Sequence, residues 1–255
     1  MRLIANPRVI VTADDFGRDT ASNDCIRRSV REGLVSHVSL MVNMPGFDDA
    51  CTIAQADRFS DRVGLHFNLT SGVPMTPAMS SVPVFCEDGR FRMPGQYGRL
   101  LPLSRGAQRA VADEARAQIR AARDRGFPLS HLDSHNDIHI EPSVARIVLA
   151  VAREMGIARV RPSRNCGLNR GFIRRAQHQA YNAWLTRAGL RGVQYFGTVD
   201  DLLWLAAQGR LPADATAEIM THPSPGPGGS IVDAPSAVPM CERLRLLKPY
   251  VDRQN

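Results

Sequence analysis

Lysine is almost missing from this 255-residue chain. Lys248 stands alone, and the other 31 of the 32 basic side chains are arginine. Against 25 acidic residues the formal net charge is +7, a balance that would suit a polyanionic partner. The arginines are dispersed, however, and such a skew reads as a GC-rich coding sequence rather than as selection for phosphate contacts. Aromatic residues make up 6%, thin for base-stacking platforms, so no nucleic-acid partner is expected. No apolar run approaches the roughly 18 residues of a membrane span. The five cysteines (Cys25, Cys51, Cys86, Cys166 and Cys241) are odd in number and scattered, with no C-x-x-C. That excludes a disulfide framework and a zinc-thiolate site. Neither G-x-G-x-x-G nor a P-loop follows the first apolar stretch, which argues against a nucleotide-binding fold. At the N-terminus Arg2 and Arg8 precede an apolar stretch at 9–13 that runs at once into Asp14 and Asp15. It is too short for a secretory signal, and the expected location is the cytoplasm.

Hydrophobic residues at 44% and charged residues at 22% match an ordinary globular protein; the length suits one large α/β domain or two small ones, and a single domain over 1–255 is expected. Apolar periodicity switches repeatedly between strand-like and helix-like. Strands are expected at 8–13, 34–42, 62–69, 129–133, 157–161, 192–196 and 216–221. Helices are expected at 20–32, with Thr20 or Ser22 as cap, and at 46–57, 105–125, 142–155, 171–188, 199–208 and 238–248. A Pro/Gly/Ser-rich segment at 71–104 is too long for an ordinary connection and reads as a lid or insertion. A second Pro/Gly-rich loop covers 223–237. Alternating strands and helices imply a parallel sheet. The expected fold is a single-domain, TIM-like, distorted (β/α) barrel of about seven parallel strands, with the long insertion after the third; a doubly wound open sheet is the competitor.

Reactive residues of a parallel barrel lie at the C-terminal ends of its strands. Asp14 and Asp15 end the first expected strand, His66 lies near the end of the third, the segment from His131 to His135 ends the fourth, and His222 ends the last. With His139, five of the seven histidines fall at or just beyond strand ends. One aspartate and two histidines would bind a divalent ion and leave positions open for water and substrate. A neighbouring carboxylate could then act as general base and a further histidine as acid. The inferred chemistry is metal-assisted hydrolysis of an acyl or phosphoryl bond.

At these positions the chain resembles a known family. The matching elements are T-A-D-D-F-G at 12–17, L-M-V-N at 40–43, V-G-L-H-F-N-L-T at 63–70, H-L-D-S-H at 131–135 and E-I-M-T-H-P at 218–223. In this order they are similar to the YdjC-like carbohydrate deacetylases, which include chito-oligosaccharide and hopanoid-associated deacetylases. The resemblance implies a distorted barrel, one divalent metal ion (Mg²⁺ or Zn²⁺) and removal of an N-acetyl group from an amino sugar. It implies Asp15, His66 and His135 as metal ligands, Asp14 as catalytic base and His222 as general acid, and it is compatible with a homodimer. One departure stands out. Where the family commonly reads H-L-D-S-H-H-H-V-H, this chain reads H-L-D-S-H-N-D-I-H, so Asn136 and Asp137 replace two histidines.

Plainer readings stand beside these. Asp14 and Asp15 could cap the first helix, and Arg161 could orient Asp14, contact sugar hydroxyls or be solvated. Asp133 could orient a ligand imidazole; Asn68 and His139 could support the site or touch substrate. His131 reads as structural, and His37 and His178 as uninvolved. Phe85, Phe91 and Tyr97 could stack on a sugar or fill a loop core. The alternatives in function are the same metal site acting on an O-acyl ester or phosphoester, and a catalytically silent carbohydrate-binding barrel.

Overall fold

A computed structural model of the chain describes residue 6 and residues 8–166, 171–212, 214–234 and 238–251. The apolar, β-branched start forms β1 (Val9–Phe16), followed by α1 (Thr20–Arg31), β2 (His37–Leu40), α2 (Phe47–Ala56) and β3 (Val63–Phe67). The expected insertion holds α3 (Pro77–Ser80), the strands β4 (Cys86–Glu87) and β5 (Arg90–Phe91), and α4 (Gln96–Leu100). Then come α5 (Arg105–Asp124), β6 (Leu132–Ser134), α6 (Ala145–Glu154), α7 (Phe172–Arg187), β7 (Tyr195–Gly197), α8 (Val199–Ala207) and β8 (Ala217–Thr221). The short strands β9 (Pro223–Pro225) and β10 (Ile231–Asp233) and the helix α9 (Met240–Val251) end the chain's described part. Residues 235–237 of the expected 223–237 loop lie outside the described residues.

Six strands pair in parallel in the order β6-β3-β2-β1-β8-β7, and the sheet curls into a half-barrel of the TIM-like kind. The segment expected as a fifth strand contributes only the isolated parallel bridges Leu132↔Val160 and Arg159↔Arg191. Its pairing stops where Pro162 removes a backbone donor. β1 occupies the middle of the sheet and is buried on both faces, which explains why it reads as a continuous apolar run rather than an alternating one.

Local chemistry fixes the loops at the top of the sheet. The cap of α1 is Asp19, whose carboxylate accepts from Ser22 N at 2.8 Å, and neither Thr20 nor Ser22 takes that place. Gly17, at φ +90°, passes so close to β2 that a Cβ would meet Met41 O at 2.6 Å. Buried Asn23 accepts from Gly17 N and donates to Gly46 O and Asp49, locking the loop after β1 to α2. Buried Glu114 on α5 accepts from Met75 N, Thr76 N and Thr76 Oγ1, which folds the insertion back onto the helix. Lower in the sheet, Gly64 leaves the space that the His131 ring fills; a Cβ there would lie 2.3 Å from the imidazole.

Four cysteines (Cys25, Cys51, Cys86 and Cys166) are free and buried, and Cys241 is partly exposed. Burial pushes the Cys51 and Cys86 thiols up to about 11 and the Cys166 thiol up to about 12, and thiols react as thiolates. Alkylation of the native protein near neutral pH should therefore mark Cys241 rapidly and the other four only after denaturation, as peptide mass mapping would show. Rapid native labelling of Cys166 would contradict this packing. No helix among the described residues is long and apolar enough to cross a membrane.

Candidate metal centre

Neighbouring residues of a strand point to opposite faces, so two consecutive aspartates cannot both reach one pocket from a regular β1. The strand is irregular where they lie. Its register with β2 runs Thr12↔His37 and Ala13↔Val38, then shifts to Phe16↔Leu40, one extra residue on β1. Asp15 takes up that residue with φ +69°. Such a bulge re-aims side chains, and both carboxylates end up lining the same pocket. Capping is not their role in this structure, since Asp19 performs it.

His66 on β3 and His135, immediately after β6, complete a compact group. His135 Nδ1 lies 3.0 Å and His66 Nε2 3.4 Å from Asp15 Oδ1, and one ligand atom from each of the three residues falls within a 4.8 Å cluster. Arg18 Nη1 donates to the other Asp15 oxygen at 2.8 Å. Burial pushes the Asp15 carboxyl up, but hydrogen bonds from His135 and His66 outweigh it and hold the group well below the usual carboxylate range. Beneath His66, its Nδ1 meets Asp133 Oδ1 at 2.8 Å, leaving Nε2 turned toward Asp15. Burial works to lower the His66 pKa, yet the Asp133 and Asp14 charges carry it up to about 10. Asp14, His66 and Asp133 form a second possible ligand group, but both of its carboxylates are already taken up by Arg161.

Arg161 is the hub under the pocket. Its side chain is buried, and its two terminal nitrogens reach the two Asp14 oxygens at 2.7 Å each. Nη2 also contacts Asp133 Oδ2 at 2.6 Å, and Nε donates to Glu218 Oε1 at 2.8 Å. This burial sets aside both the solvated reading and the sugar-hydroxyl reading of Arg161. Ser39 Oγ donates to Asp133 Oδ2 at 2.7 Å, and Thr12 Oγ1 to Glu218 Oε1 at 3.0 Å. Beside Asp14, His222 Nε2 lies 4.0 Å from the carboxylate Oδ2. Asp233 Oδ1 accepts from His222 N at 2.8 Å and lies 3.9 Å from Nδ1.

These walls enclose about 350 Å³, with Arg164, Met220, Asn136 and Asp137 completing the rim. Among the described residues, none of those lining the pocket comes from the 71–104 segment. The remaining singled-out residues sit behind the surface. Asn68 is buried and shapes the turn after β3, its Oδ1 accepting from Thr70 N and Ser71 N. His139 is buried between Ser134 and the Arg161 carbonyl, out of reach of a pocket ligand. His131 precedes β6 rather than ending it, bonded to Ser39 and Ser130. Glu218, Ser39 and Asp233 were not singled out from sequence; for Glu218 the signal was its place in E-I-M-T-H-P.

Comparison with known proteins agrees with the motif pattern. Among curated relatives, a chitooligosaccharide deacetylase of Klebsiella pneumoniae is 32% identical over 225 residues, 85% of this chain and 81% of that protein. A carbohydrate deacetylase of Brevibacillus brevis is 36% identical over 148 residues, 58% of this chain and 56% of that protein. One from Danio rerio is 29% identical over 194 residues, 74% of this chain and 60% of that protein. The matches thus span less than two thirds of the length of the latter two. A solved structure from Enterococcus faecalis V583, described as a cellobiose-phosphate cleavage protein, aligns with a TM-score of 0.67 at 20% identity, over 96% of this chain and 90% of that one. At that identity the likeness shows the fold. The family described as YdjC-like protein matches residues 8–238, and the chain belongs to that family.

Proposed function

We propose that this protein is a metal-dependent carbohydrate deacetylase that hydrolyses an N-acetyl group of an amino sugar. The observation that carries the reading is the clustering of Asp15, His66 and His135 ligand atoms within 4.8 Å, at a pocket that Asp14 and His222 also line. The donor set fits a divalent ion. It combines one carboxylate with two imidazole nitrogens and leaves coordination positions open toward the pocket. The His66 imidazole is also oriented from behind by the Asp133 carboxylate, the arrangement common behind metal-ligating histidines. Two imidazoles favour Zn²⁺, while an open carboxylate-containing site also admits Mg²⁺.

A bound divalent ion would supply Lewis acidity, drawing charge from an acyl oxygen and making water more acidic. The chain's own residues do the rest. Arg161 holds the Asp14 carboxylate by two hydrogen bonds, so its orientation is fixed before substrate arrives, and Asp14 takes the proton of the attacking water. His222, anchored through its backbone N to Asp233, lines the same pocket next to Asp14. Its Nε2 gives a proton to the departing sugar amine. Arg18 Nη1 holds the second Asp15 oxygen, which fixes the orientation of the carboxylate.

The test is acetate release from N-acetylated mono- and oligosaccharides by chelated protein with Zn²⁺ or Mg²⁺ added back. Acetate that appears only with metal is expected. Folded, metal-loaded protein that releases none from any member of the panel would remove the deacetylase reading.

A further inference from the structure

Asp137 is a pocket-lining carboxylate that the mechanism above leaves unused. Asn136 (φ 54°, ψ 28°) and Asp137 (φ 56°, ψ 24°) both lie in the left-handed region. Such a backbone is strained unless its surroundings hold it, and asparagine and aspartate tolerate the region best among non-glycine residues. The surroundings do hold this pair. Asn136 Nδ2 donates to Thr70 Oγ1 at 3.1 Å, His139 N donates to Ser134 Oγ at 3.0 Å, and Ile138, His139 and Ile140 are buried. Fixed at both ends, the turn presents the Asp137 side chain to the pocket.

Its partners elsewhere are accounted for. Asp14 is held by Arg161, and Asp15 by Arg18 and His135. Asp137 makes no hydrogen bond or ion pair among the described residues. Arg164 shares the pocket wall, but its nearest carboxylate is Asp201, at 4.0 Å. A half-buried carboxylate in this state gains most from a ligand that brings both donors and positive charge, because charge-assisted hydrogen bonds are roughly twice as strong as neutral ones. A sugar hydroxyl supplies only the donor, whereas an ammonium supplies both.

We propose that Asp137 is a specificity-determining residue that binds the free ammonium of an amino sugar, so that the preferred substrate carries an unacetylated amine beside the acetamido group to be cleaved. The inference rests on the deacetylase reading. Its test compares two disaccharides of glucosamine, one fully N-acetylated and one with a single free amine, on the metal-loaded protein at about pH 6.5, where such an amine is protonated. The wild type should favour the amine-bearing disaccharide by about tenfold or more in kcat/KM, chiefly through KM, the scale of one charge-assisted contact. Asp137→Asn, which keeps the left-handed turn accessible, should bring the ratio close to one, and Asp137→His should reverse it. Equal use of both disaccharides by the wild type, or a preference unchanged in Asp137→Asn, would overturn the proposal. A calorimetric arm needs no turnover. The disaccharide with both amines free should bind the wild type at least about tenfold more tightly than Asp137→Asn, and equal or absent binding also overturns the proposal. If neither acetylated disaccharide yields acetate while calorimetry shows the difference, the deacetylase reading fails and the ammonium site stands.

Discussion

Asp14→Asn is expected to take up a divalent ion as the wild type does and to lose about 10²–10⁴ in kcat, the usual contribution of a positioned general base. The two halves of that expectation come from different contacts. Uptake is spared because the cluster nearest the open pocket uses Asp15, His66 and His135, while both Asp14 oxygens are occupied by Arg161. Turnover is lost because an amide cannot accept the proton. Metal content by mass spectrometry beside steady-state acetate release separates the two. An Asp14→Asn protein that comes out metal-free would move Asp14 into the ligand set, and one with full activity would end its role as base.

Removing Arg161 should have the largest effect on stability. One buried guanidinium is shared by Asp14, Asp133 and Glu218, and breaking a single buried pair by deleting one partner typically costs about 3–5 kcal/mol. Here three carboxylates would lose their common cation, so Arg161→Met should be destabilised by at least that much, out of a total of about 5–15 kcal/mol for an ordinary domain. Arg161→Lys should recover only part of it, because a point-like ammonium cannot fork toward three acceptors. The pH dependence has a defined sign. Burial pushes the Asp133 carboxyl up, but in the wild type the charges of Arg161 and His66 outweigh burial and hold it well below the usual range. Its contribution is therefore present above the ordinary aspartate pKa and lost as the pH falls through the depressed one. Without Arg161 that depression weakens, so the stability gap between Arg161→Met and wild type should hold from pH 7 to about pH 5 and narrow toward about pH 3. Urea midpoints at these pH values measure it, and a variant within a few tenths of a kcal/mol of wild type at pH 7 would refute the hub.

The sequence exposed the site unevenly, for physical reasons. Asp14, Asp15, His66, His135 and His222 could be grouped because a parallel barrel gathers its strand ends, and strand ends can be placed from apolar runs and turn residues alone. The six-stranded sheet was legible for the same reason. The segment at 157–161 looked like a full strand because Val160 and its neighbours have strand composition, yet Pro162 limits it to bridges. The electrostatic floor was less readable. Arg161 and Asp14 are 147 positions apart, Thr12 and Glu218 206, and nothing local distinguishes a buried arginine from the many others in the chain. Likewise Asp19, rather than Thr20 or Ser22, caps α1, because the helix already includes both of those residues, and no composition signal marks the bulge at Asp15.

That bulge narrows what evolution can do with position 15. The residue must adopt a left-handed backbone, which β-branched and bulky side chains resist, and it must also offer an oxygen toward His66 and His135. Glycine satisfies the first demand and fails the second; glutamate satisfies the second and fits the first poorly. Only aspartate and asparagine meet both, and one of those lacks the charge. A descendant of this chain that gave up the Asp15, His66 and His135 cluster would therefore change most easily at this residue, through asparagine or glycine, with the half-barrel left standing.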